Sequence, residues 1–405
     1  MRSLKRSNPY ILPALCIALQ SVLWADGDGP PTATAPPSPP APPAAPEPAE
    51  IQKAIDRGLA FLLSIQNRDG SWGSARRTKA LNIYAPVPGS HQGFRAAVTG
   101  LCISALIESG SRDEKVLRAL DRGEEWLLRE LPRVRRATGD AIYNVWAHAY
   151  GTQALVRILK RHGDDAALQE RVREAIRGQI ALLVRYETLA GGWCYYDFVA
   201  QTQKISGSTN SFVTATVLVA LREAKDAGIG SPEPLIRRAI DSIHRQMKPD
   251  FTYLYGEYLS WLPQRLVNRL PGSLGRSQAC NLALRLWGSE RTTDAVILDW
   301  LGKLCDRNFW LDIGRKRPIP HESWAQVAGY FFYYGHYYAG LCLEVLKPQD
   351  RAEPAGRLAG ILLALQEKDG SWWDYPFYDY HQPYGTAYAI MTLLRCRPGS
   401  NRASP

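Results

Sequence analysis

Two kinds of helical segment alternate along the chain from residue 51 to residue 396. The first kind is amphipathic: in 51–65 and 352–365 apolar residues recur at helical spacing among Arg, Glu and Lys, as expected for helices with one solvated face. The second kind is apolar nearly all round and rich in small residues, which indicates buried helices. Segments of the second kind span 97–108, 143–159, 212–224, 277–287, 334–346 and 384–395.

A short sequence recurs at the two ends of this region. Gln66 to Trp72 reads QNRDGSW and Gln366 to Trp372 reads QEKDGSW, with five of seven positions identical. Each copy follows an amphipathic helix, and its Asp-Gly is a turn signal. Near-identical first and last repeats suit a ring in which they meet. The sequence therefore predicts an all-α fold, a single (α/α)6 toroid or barrel of about six outer and inner helix pairs.

Aromatic residues and charge add to this picture. Trp and Tyr total 32 against nine Phe, and such rings, apolar with a polar tip, suit a large and partly wet cavity. The formal charge of +10 is spread along the chain without a nucleic-acid motif. We therefore expect no nucleic-acid partner, and peripheral association with an anionic membrane surface as a hypothesis.

The first 25 residues have the pattern of a signal peptide. Arg2, Lys5 and Arg6 precede an apolar stretch over 10–24 that is short for a membrane span. We expect an exported protein, periplasmic or extracellular, and tethered to a membrane if the signal is not cleaved. The predicted divisions are a signal peptide over 1–25, a Pro/Ala-rich disordered tether over 26–49, the toroid over 50–397 and a disordered tail over 398–405.

The repeat resembles that of a known superfamily. From Arg57 to Trp72 an Arg-Gly pair, an aromatic-Leu pair, a Gln and a Gly-x-Trp follow one another. This order is similar to the QW repeat of squalene-hopene and oxidosqualene cyclases, whose toroid is shared by protein prenyltransferases. The resemblance implies a central aromatic-lined cavity that binds an isoprenoid or another apolar ligand. It also implies a bracing role for Gln66, Trp72, Gln366 and Trp372.

The acid motif of those cyclases is absent. Class II cyclases of this kind protonate an alkene with an Asp-x-Asp-Asp motif, and the single Asp pair here, Asp164-Asp165, lies in a polar turn. The chain is also about one barrel long, whereas those cyclases have two. The resemblance thus predicts binding and leaves catalysis undecided; an active protein would be terpenoid-cyclase-like or prenyltransferase-like.

Zinc is the cofactor that the prenyltransferases would imply. They hold it through an Asp, a nearby Cys and a distant His. Cys194 and Asp197, with His336 or His381, are the corresponding residues here, but Cys precedes Asp in reversed order. We therefore predict no cofactor, with zinc as the less favoured alternative.

Polar and aromatic residues gather at the starts of the predicted inner helices and in the loops before them. Loops at one end of a barrel commonly carry function, and a carboxyl group among aromatic rings can have a raised pKa and act as an acid. The alternative is that these acids only bond loop amides and Tyr hydroxyls. The candidate catalytic residues are Asp197, Asp374, Asp379 and His381, and the candidate substrate-binding residues are Trp146, Trp193, Tyr196, His336, Trp373 and Tyr384.

Two other functions compete with apolar-ligand binding. A carbohydrate-active (α/α)6 enzyme would need two opposed carboxylates, for which Asp197 with Glu322, or with Asp374, are the candidates. Carboxylates outside the cavity would argue against it. A non-catalytic interaction module is favoured by the Pro-rich tether and the missing motifs, and a barrel packed solid would support it.

Overall fold

The computed structural model describes residues 45–78, 89–199, 202 and 204–398. The predicted signal peptide and the tether up to residue 44 lie outside this part. Within it the chain is helical, with isolated bridges in place of strands, so the all-α prediction is confirmed. None of the described helices combines the length and apolar character needed to cross a bilayer.

In the described part of the chain, six outer helices alternate with six inner helices. The outer helices are α1 (Pro48–Ser64), α3 (Glu114–Glu130), α5 (Ala166–Arg185), α7 (Glu233–Gln246), α9 (Asp294–Asp306) and α12 (Ala352–Ala364). The inner helices are α2 (Ser90–Ser109), α4 (Asn144–Arg161), α6 (Ser211–Asp226), α8 (Leu270–Leu286), α11 (Phe331–Glu344) and α13 (His381–Cys396). Short helical turns join some of them: Leu131–Arg133, Glu257–Leu259, Leu266–Asn268, α10 (Phe309–Asp312), Trp324–Gln326 and Pro348–Asp350.

The inner helices form a closed ring. Each packs against the inner helix before and after it, and α13 packs against α2. Nearly every residue of α2, α4, α6, α8, α11 and α13 is buried, whereas the outer helices bury one face. This difference follows from the sequence, because only the outer helices carry charged residues at the spacing of a solvated stripe.

The repeated sequence forms the same turn at both ends of the chain. The indole Nε1 of Trp72 donates to the carbonyl oxygen of Leu62, and that of Trp372 to Leu362, each over 2.8 Å. Both indoles are fully buried. The turn therefore folds each ring back beneath the helix that precedes it.

Each turn then docks on the Arg-Gly pair of the next outer helix. Gln66 Nε2 donates to the carbonyl oxygen of Ala119 in α3 over 2.8 Å. A Cβ at Gly123 would lie 3.0 Å from the ring of Trp72, so a larger residue there would press against the indole. The Gln and Trp of one repeat and the Arg-Gly of the following repeat thus form a single contact.

The last turn makes this contact with the first outer helix. Gln366 Nε2 donates to the carbonyl oxygen of Ala54 over 2.9 Å, and Gln366 Oε1 accepts from Arg57 Nη1 over 3.1 Å. A Cβ at Gly58 would lie 2.9 Å from the ring of Trp372. The two ends of the toroid therefore join through the same contact that joins neighbours within it.

One inner helix is longer than its apolar pattern suggests. The pattern predicts a start at 277, whereas α8 begins at Leu270. Its first turns contain glycines, and a Cβ at Gly275 would lie 2.8 Å from the carbonyl oxygen of Phe331. One at Gly335 would lie 2.7 Å from the Cα of Gly275. Glycine here permits two inner helices to approach closely, which outweighs its low helix propensity.

Candidate functional site

A cavity of about 500 Å³ lies inside the inner ring. Its walls come from the first halves of the inner helices and from the loops that precede them, so it opens at the end where these helices begin. Phe198, Tyr258, Pro320 and His321 stand at this opening, which we call the mouth. The other lining residues are Phe94, Ala97, Val98, Leu101, Tyr143, Trp146, Tyr150, Tyr195, Tyr196, Phe212, Tyr255, Tyr330, Phe331, Tyr334, Tyr375, Phe377, Tyr384 and Tyr388.

Buried ion pairs link the other ends of the inner helices. Arg157 of α4 bonds Glu108 of α2 over 2.7 Å and Glu223 of α6 over 2.6 Å. Arg395 of α13 bonds Glu108 over 2.6 Å and Glu344 of α11 over 3.2 Å. These five residues, the charge ring, tie five of the six inner helices together at the end opposite the mouth. Each charge has a partner, as burial requires.

Phenol hydroxyls are the main polar groups of the cavity wall. Tyr195 bonds Tyr255, Tyr255 bonds Tyr330 over 3.2 Å, and Tyr330 bonds His321 Nε2 over 3.2 Å. His321 Nδ1 lies 2.7 Å from the carbonyl oxygen of Gln326, which can only accept, so Nδ1 carries the hydrogen. Burial lowers the pKa of His321. The ring is therefore neutral at neutral pH, and its Nε2 accepts from Tyr330.

One carboxyl group reaches the wall through a tyrosine. Asp374 is fully buried; its Oδ1 accepts from the hydroxyl of Tyr384 over 2.5 Å and its Oδ2 from the backbone amide of Tyr333 over 3.0 Å. Burial raises the pKa of Asp374 to about 7, against the lowering effect of these bonds. Tyr384 lines the cavity while Asp374 stands behind it, so a ligand would meet the phenol first.

Three predicted substrate-binding residues line the cavity. Trp146 stacks near Tyr150 and Phe212 with ring centroids 6.0 and 6.1 Å away. Tyr196 bonds the hydroxyl of Tyr143, and Tyr384 is the partner of the buried acid. The remaining three predicted residues lie elsewhere.

Trp193, His336 and Trp373 are not among the lining residues. Trp193 is fully buried with its Nε1 donating to the carbonyl oxygen of Leu183 over 2.8 Å, which is the contact that the repeat tryptophans make. His336 is buried, its Nδ1 2.7 Å from the carbonyl oxygen of Phe332. Trp373 lies beneath the ammonium of Lys316, 4.4 Å from its ring centroid. Each of these three rings therefore contacts another part of the protein instead of the cavity.

The other three predicted catalytic residues also lie outside the lining. Asp197 is fully buried, with Oδ2 3.6 Å from Arg136 Nη2. Asp379 forms an ion pair with Arg76 over 3.1 Å, and His381 Nδ1 lies 2.6 Å from the carbonyl oxygen of Tyr378. The structure therefore does not bring the four predicted catalytic residues together around the cavity.

The residues suggested for zinc do not fit the metal. In the part of the chain that the structure describes, no group of three or more His, Cys, Asp and Glu side chains could hold an ion. Cys194 donates its thiol hydrogen to the carbonyl oxygen of Tyr196 over 3.1 Å, and burial raises its pKa to about 12. A cysteine that binds zinc does so as a thiolate, whereas the Cys194 thiol donates to a backbone carbonyl.

Sequence reasoning did not single out Tyr255 or Tyr258. Both lie between an outer and an inner helix, where helical periodicity gives no guidance. The signal that could have revealed them is density: Tyr253, Tyr255 and Tyr258 fall within six positions just before a predicted inner helix.

No family profile and no curated protein matches this chain. Solved structures resemble its fold. The type II terpene cyclase MstE from Scytonema, in complex with geranylgeranyl dihydroxybenzoate, is 16% identical with a TM-score of 0.51, and the match covers 87% of this chain and 98% of that one. An apo form of a variant of the same cyclase gives a TM-score of 0.52 at 16% identity, with the same coverage.

A sugar-cleaving enzyme resembles the fold to the same degree. An inactive variant of an alpha-1,6-mannanase of Salegentibacter sp. HEL1_6, in complex with alpha-1,6-mannotriose, is 10% identical with a TM-score of 0.53. The match covers 86% of this chain and 98% of that chain. At such identities the likeness concerns the α/α-toroid fold alone, so function has to be argued from the cavity.

Proposed function

We propose that this protein binds an isoprenoid or a similar long apolar molecule in its central cavity. The observation that carries the proposal is the lining, in which aromatic and aliphatic side chains make up the wall and the polar groups are mostly phenol hydroxyls. A volume of about 500 Å³ lies within the range of small-molecule sites. Transfer of apolar surface from water into such a wall drives binding.

The lining favours this proposal over sugar cleavage. Glycoside hydrolysis needs two carboxyl groups facing the scissile bond, and no Asp or Glu is among the residues that the structure places on the cavity wall. Asp197 bonds Ser206 and lies beside Arg136, while Asp374 is behind Tyr384. The QW-like repeat and the prenylated substrate of the similar cyclase support the apolar-ligand proposal further.

The proposal is binding and does not include alkene protonation. That reaction needs a strongly acidic donor in contact with the alkene. Asp374 is hydrogen-bonded to a residue of the cavity wall, Tyr384, which separates it from the cavity. Burial also raises its pKa to about 7. A carboxyl group that retains its proton so firmly is a weak acid for this chemistry.

Native mass spectrometry of protein purified from its own cells tests the proposal. We expect an added mass that organic solvent extracts and that is identified as an isoprenoid. Ala97 lines the cavity on α2, so Ala97→Phe fills it, and this variant should lose the added mass. Ala60→Phe, on the exposed face of α1, is the matched control and should retain it. Wild-type protein without bound lipid, and without a shift in melting temperature on adding farnesol, would refute the proposal.

We also propose that the mouth rests on an anionic membrane surface. Exposed apolar side chains stand on the loops that carry the mouth: Val199 follows Phe198, Trp261 follows Tyr258, and Trp324 follows His321. Trp261 is 75% exposed and Trp324 58%, which is unusual for such rings unless they meet an apolar partner. The same loops contain the exposed Arg265, Arg269 and Arg317, which suit anionic headgroups.

Sedimentation with phospholipid vesicles tests the membrane proposal. The wild type should pellet with vesicles of phosphatidylglycerol and phosphatidylcholine and less with pure phosphatidylcholine. Trp261→Ser with Trp324→Ser should abolish pelleting, whereas Val184→Ser, which removes an exposed apolar side chain from the outer helix α5, should not. Equal pelleting of the double variant and the wild type would contradict the proposal.

A further inference from the structure

Arg276 is a buried charge beside the cavity. It lies in the first half of α8 and is only 1% exposed. Its guanidinium donates to the backbone carbonyl oxygens of Tyr253, Val267 and Gly272. It also lies over the ring of Tyr255, with Cζ 5.6 Å from the centroid. Tyr255 lines the cavity, so one phenol ring separates this charge from a bound ligand.

No carboxylate among the described residues forms an ion pair with Arg276, in contrast to the buried arginines of the charge ring. Its partners are neutral carbonyls and a phenol ring, which satisfy hydrogen bonds without cancelling the charge. Burial lowers its pKa to about 10, so it remains charged at neutral pH. An uncompensated buried charge is costly, and its field acts strongly across a poorly polar wall.

The rest of the cavity reinforces the same polarity. The inner helices begin at the mouth, so their dipoles direct positive ends toward it. At the opposite end the glutamates and arginines of the charge ring pair with one another. The helix dipoles therefore favour an anion at the mouth over one at the closed end.

Tyr258 supplies a hydrogen-bond donor at this positive end. It lines the cavity at the mouth and is half exposed. Its hydroxyl makes no hydrogen bond with the rest of the described chain, whereas the hydroxyls of Tyr195, Tyr255 and Tyr330 bond one another. A ligand head group at the mouth would thus find a phenol hydrogen to accept.

We propose that the cavity selects an apolar ligand with an acidic head group, bound as its anion at the mouth beside Tyr255 and Tyr258, with Arg276 as the residue that sets this preference. The inference rests on the proposed function, since the apolar chain would occupy the inner cavity. Arg276 acts through Tyr255 and is a positioning residue. A carboxylate, an acidic phenol or an enolate has the required chemistry.

Three probes with one chain and different heads test this inference. Farnesoic acid, farnesol and farnesylamine carry a negative, a neutral and a positive head at neutral pH. Quenching of intrinsic fluorescence should report their affinities, because Trp146 lines the cavity. The wild type should bind the acid about tenfold more tightly than the alcohol, the order of effect of one charge across a partly screened interior, and the amine most weakly.

Substitutions of Arg276 then distinguish an effect of its charge on ligand preference from a structural effect of its side chain. Arg276→Lys should keep the order of the three probes, and Arg276→Met should bring acid and alcohol within about threefold of each other. Arg285→Met removes a charge from the same helix, where Arg285 pairs with Asp294, and should leave the order intact. If Arg276→Met does not fold, Arg276→Gln, which is neutral but keeps donors for the carbonyls, replaces it.

A purely structural arginine would change the affinity for all three probes alike, and that outcome would overturn the inference. Equal wild-type affinities for acid, alcohol and amine would also overturn it while leaving the proposed function standing. Absence of binding by all three probes would instead count against the proposed function itself.

Discussion

The hydroxyl of Tyr384 donates to Oδ1 of Asp374 over 2.5 Å, and this bond connects the cavity wall to a fully buried carboxyl group. Asp374 lies in the loop before α13, and Tyr384 lies in the first turn of that helix. Because burial raises the pKa of Asp374 to about 7, folding and the protonation of this group are linked.

Asp374→Asn should reveal this linkage. The folded protein retains the Asp374 proton up to about pH 7, whereas the unfolded chain loses it near its ordinary pKa of 3.8. The native state thus binds more protons in this window, and the group's contribution to stability falls as pH rises through it. Asn stays neutral, so the variant should be more stable than the wild type at pH 8, by up to about 4 kcal/mol, and not at pH 4.

Urea midpoints of both proteins across this range measure the effect. The difference between the two proteins cancels other titrating groups, which they share. A constant difference from pH 4 to pH 8 would show that the Asp374 carboxyl does not titrate in this window.

Tyr384→Phe should raise the pH at which the Asp374 carboxyl loses its proton in the folded protein. The phenol donates to the ionised carboxylate and thereby lowers the pKa of Asp374 against the effect of burial. Without it the pKa should rise further, so the loss of stability should extend to higher pH. This extension is measured as the difference in urea midpoint, at each pH, between Tyr384→Phe and the double variant Tyr384→Phe with Asp374→Asn. Tyr388→Phe, another wall tyrosine on α13, is the control and should leave the window unchanged.

Acid should destabilise the fold through His148. Its Nδ1 lies 2.8 Å from Gln179 Oε1, which can only accept, and burial lowers its pKa to about 4. The unfolded chain takes up the proton near the ordinary value of 6.5, so stability falls as pH drops from about 6.5 to about 4. His148→Asn keeps a donor for Gln179 but does not titrate. Its denaturation midpoint should fall less than that of the wild type in this range; parallel curves would contradict the assignment.

Much of the fold follows from the sequence because the repeat specifies contacts. The Asp-Gly pair forms the turn, and the glycine of the Arg-Gly pair accommodates the Trp ring. Both roles can be anticipated from the residue types alone. A further copy is hidden, however: Asp250 to Tyr253 forms the same turn, with Thr252 Oγ1 donating to Asp250 Oδ1 over 2.6 Å as Ser71 does to Asp69 over 2.7 Å. There Phe251 has φ 59°, where Gly70 has φ 95°, and a pattern built on glycine cannot find it.

The cavity was harder to predict than the fold. Trp146 and Tyr384, two of the predicted substrate-binding residues, fall within the predicted inner helices 143–159 and 384–395, and both line the cavity. Trp193 and Tyr196 stand only three positions apart in one loop, yet one braces a turn and the other lines the cavity. Loop conformation decides which way each ring points, and no local rule in the sequence fixes it. The charge on Arg276 was overlooked because it precedes the apolar run of its helix.

Ring closure depends on Gln366, and the chain contains its own control for this residue. Gln366 Nε2 donates to Ala54 and Gly370, and Gln66 Nε2 donates to Ala119 and Gly70 in the same way. Either substitution by Ala should cost about 1–3 kcal/mol, because it removes bonds to partly buried carbonyls. The consequences for local opening should differ, since of the two glutamines only Gln366 bonds across the junction between the last turn and α1.

Hydrogen exchange resolves this difference. In Gln366→Ala the amides of α1 should exchange faster relative to the rest of the toroid, because α1 loses the Gln366 bonds to Ala54 and Arg57 and is held to the last turn by fewer contacts. In Gln66→Ala exchange should rise at the turn itself, while α1 keeps all its bonds to the last turn. Identical exchange patterns in the two variants would mean that the contact between the last turn and α1 stabilises the ring no more than any other contact between repeats.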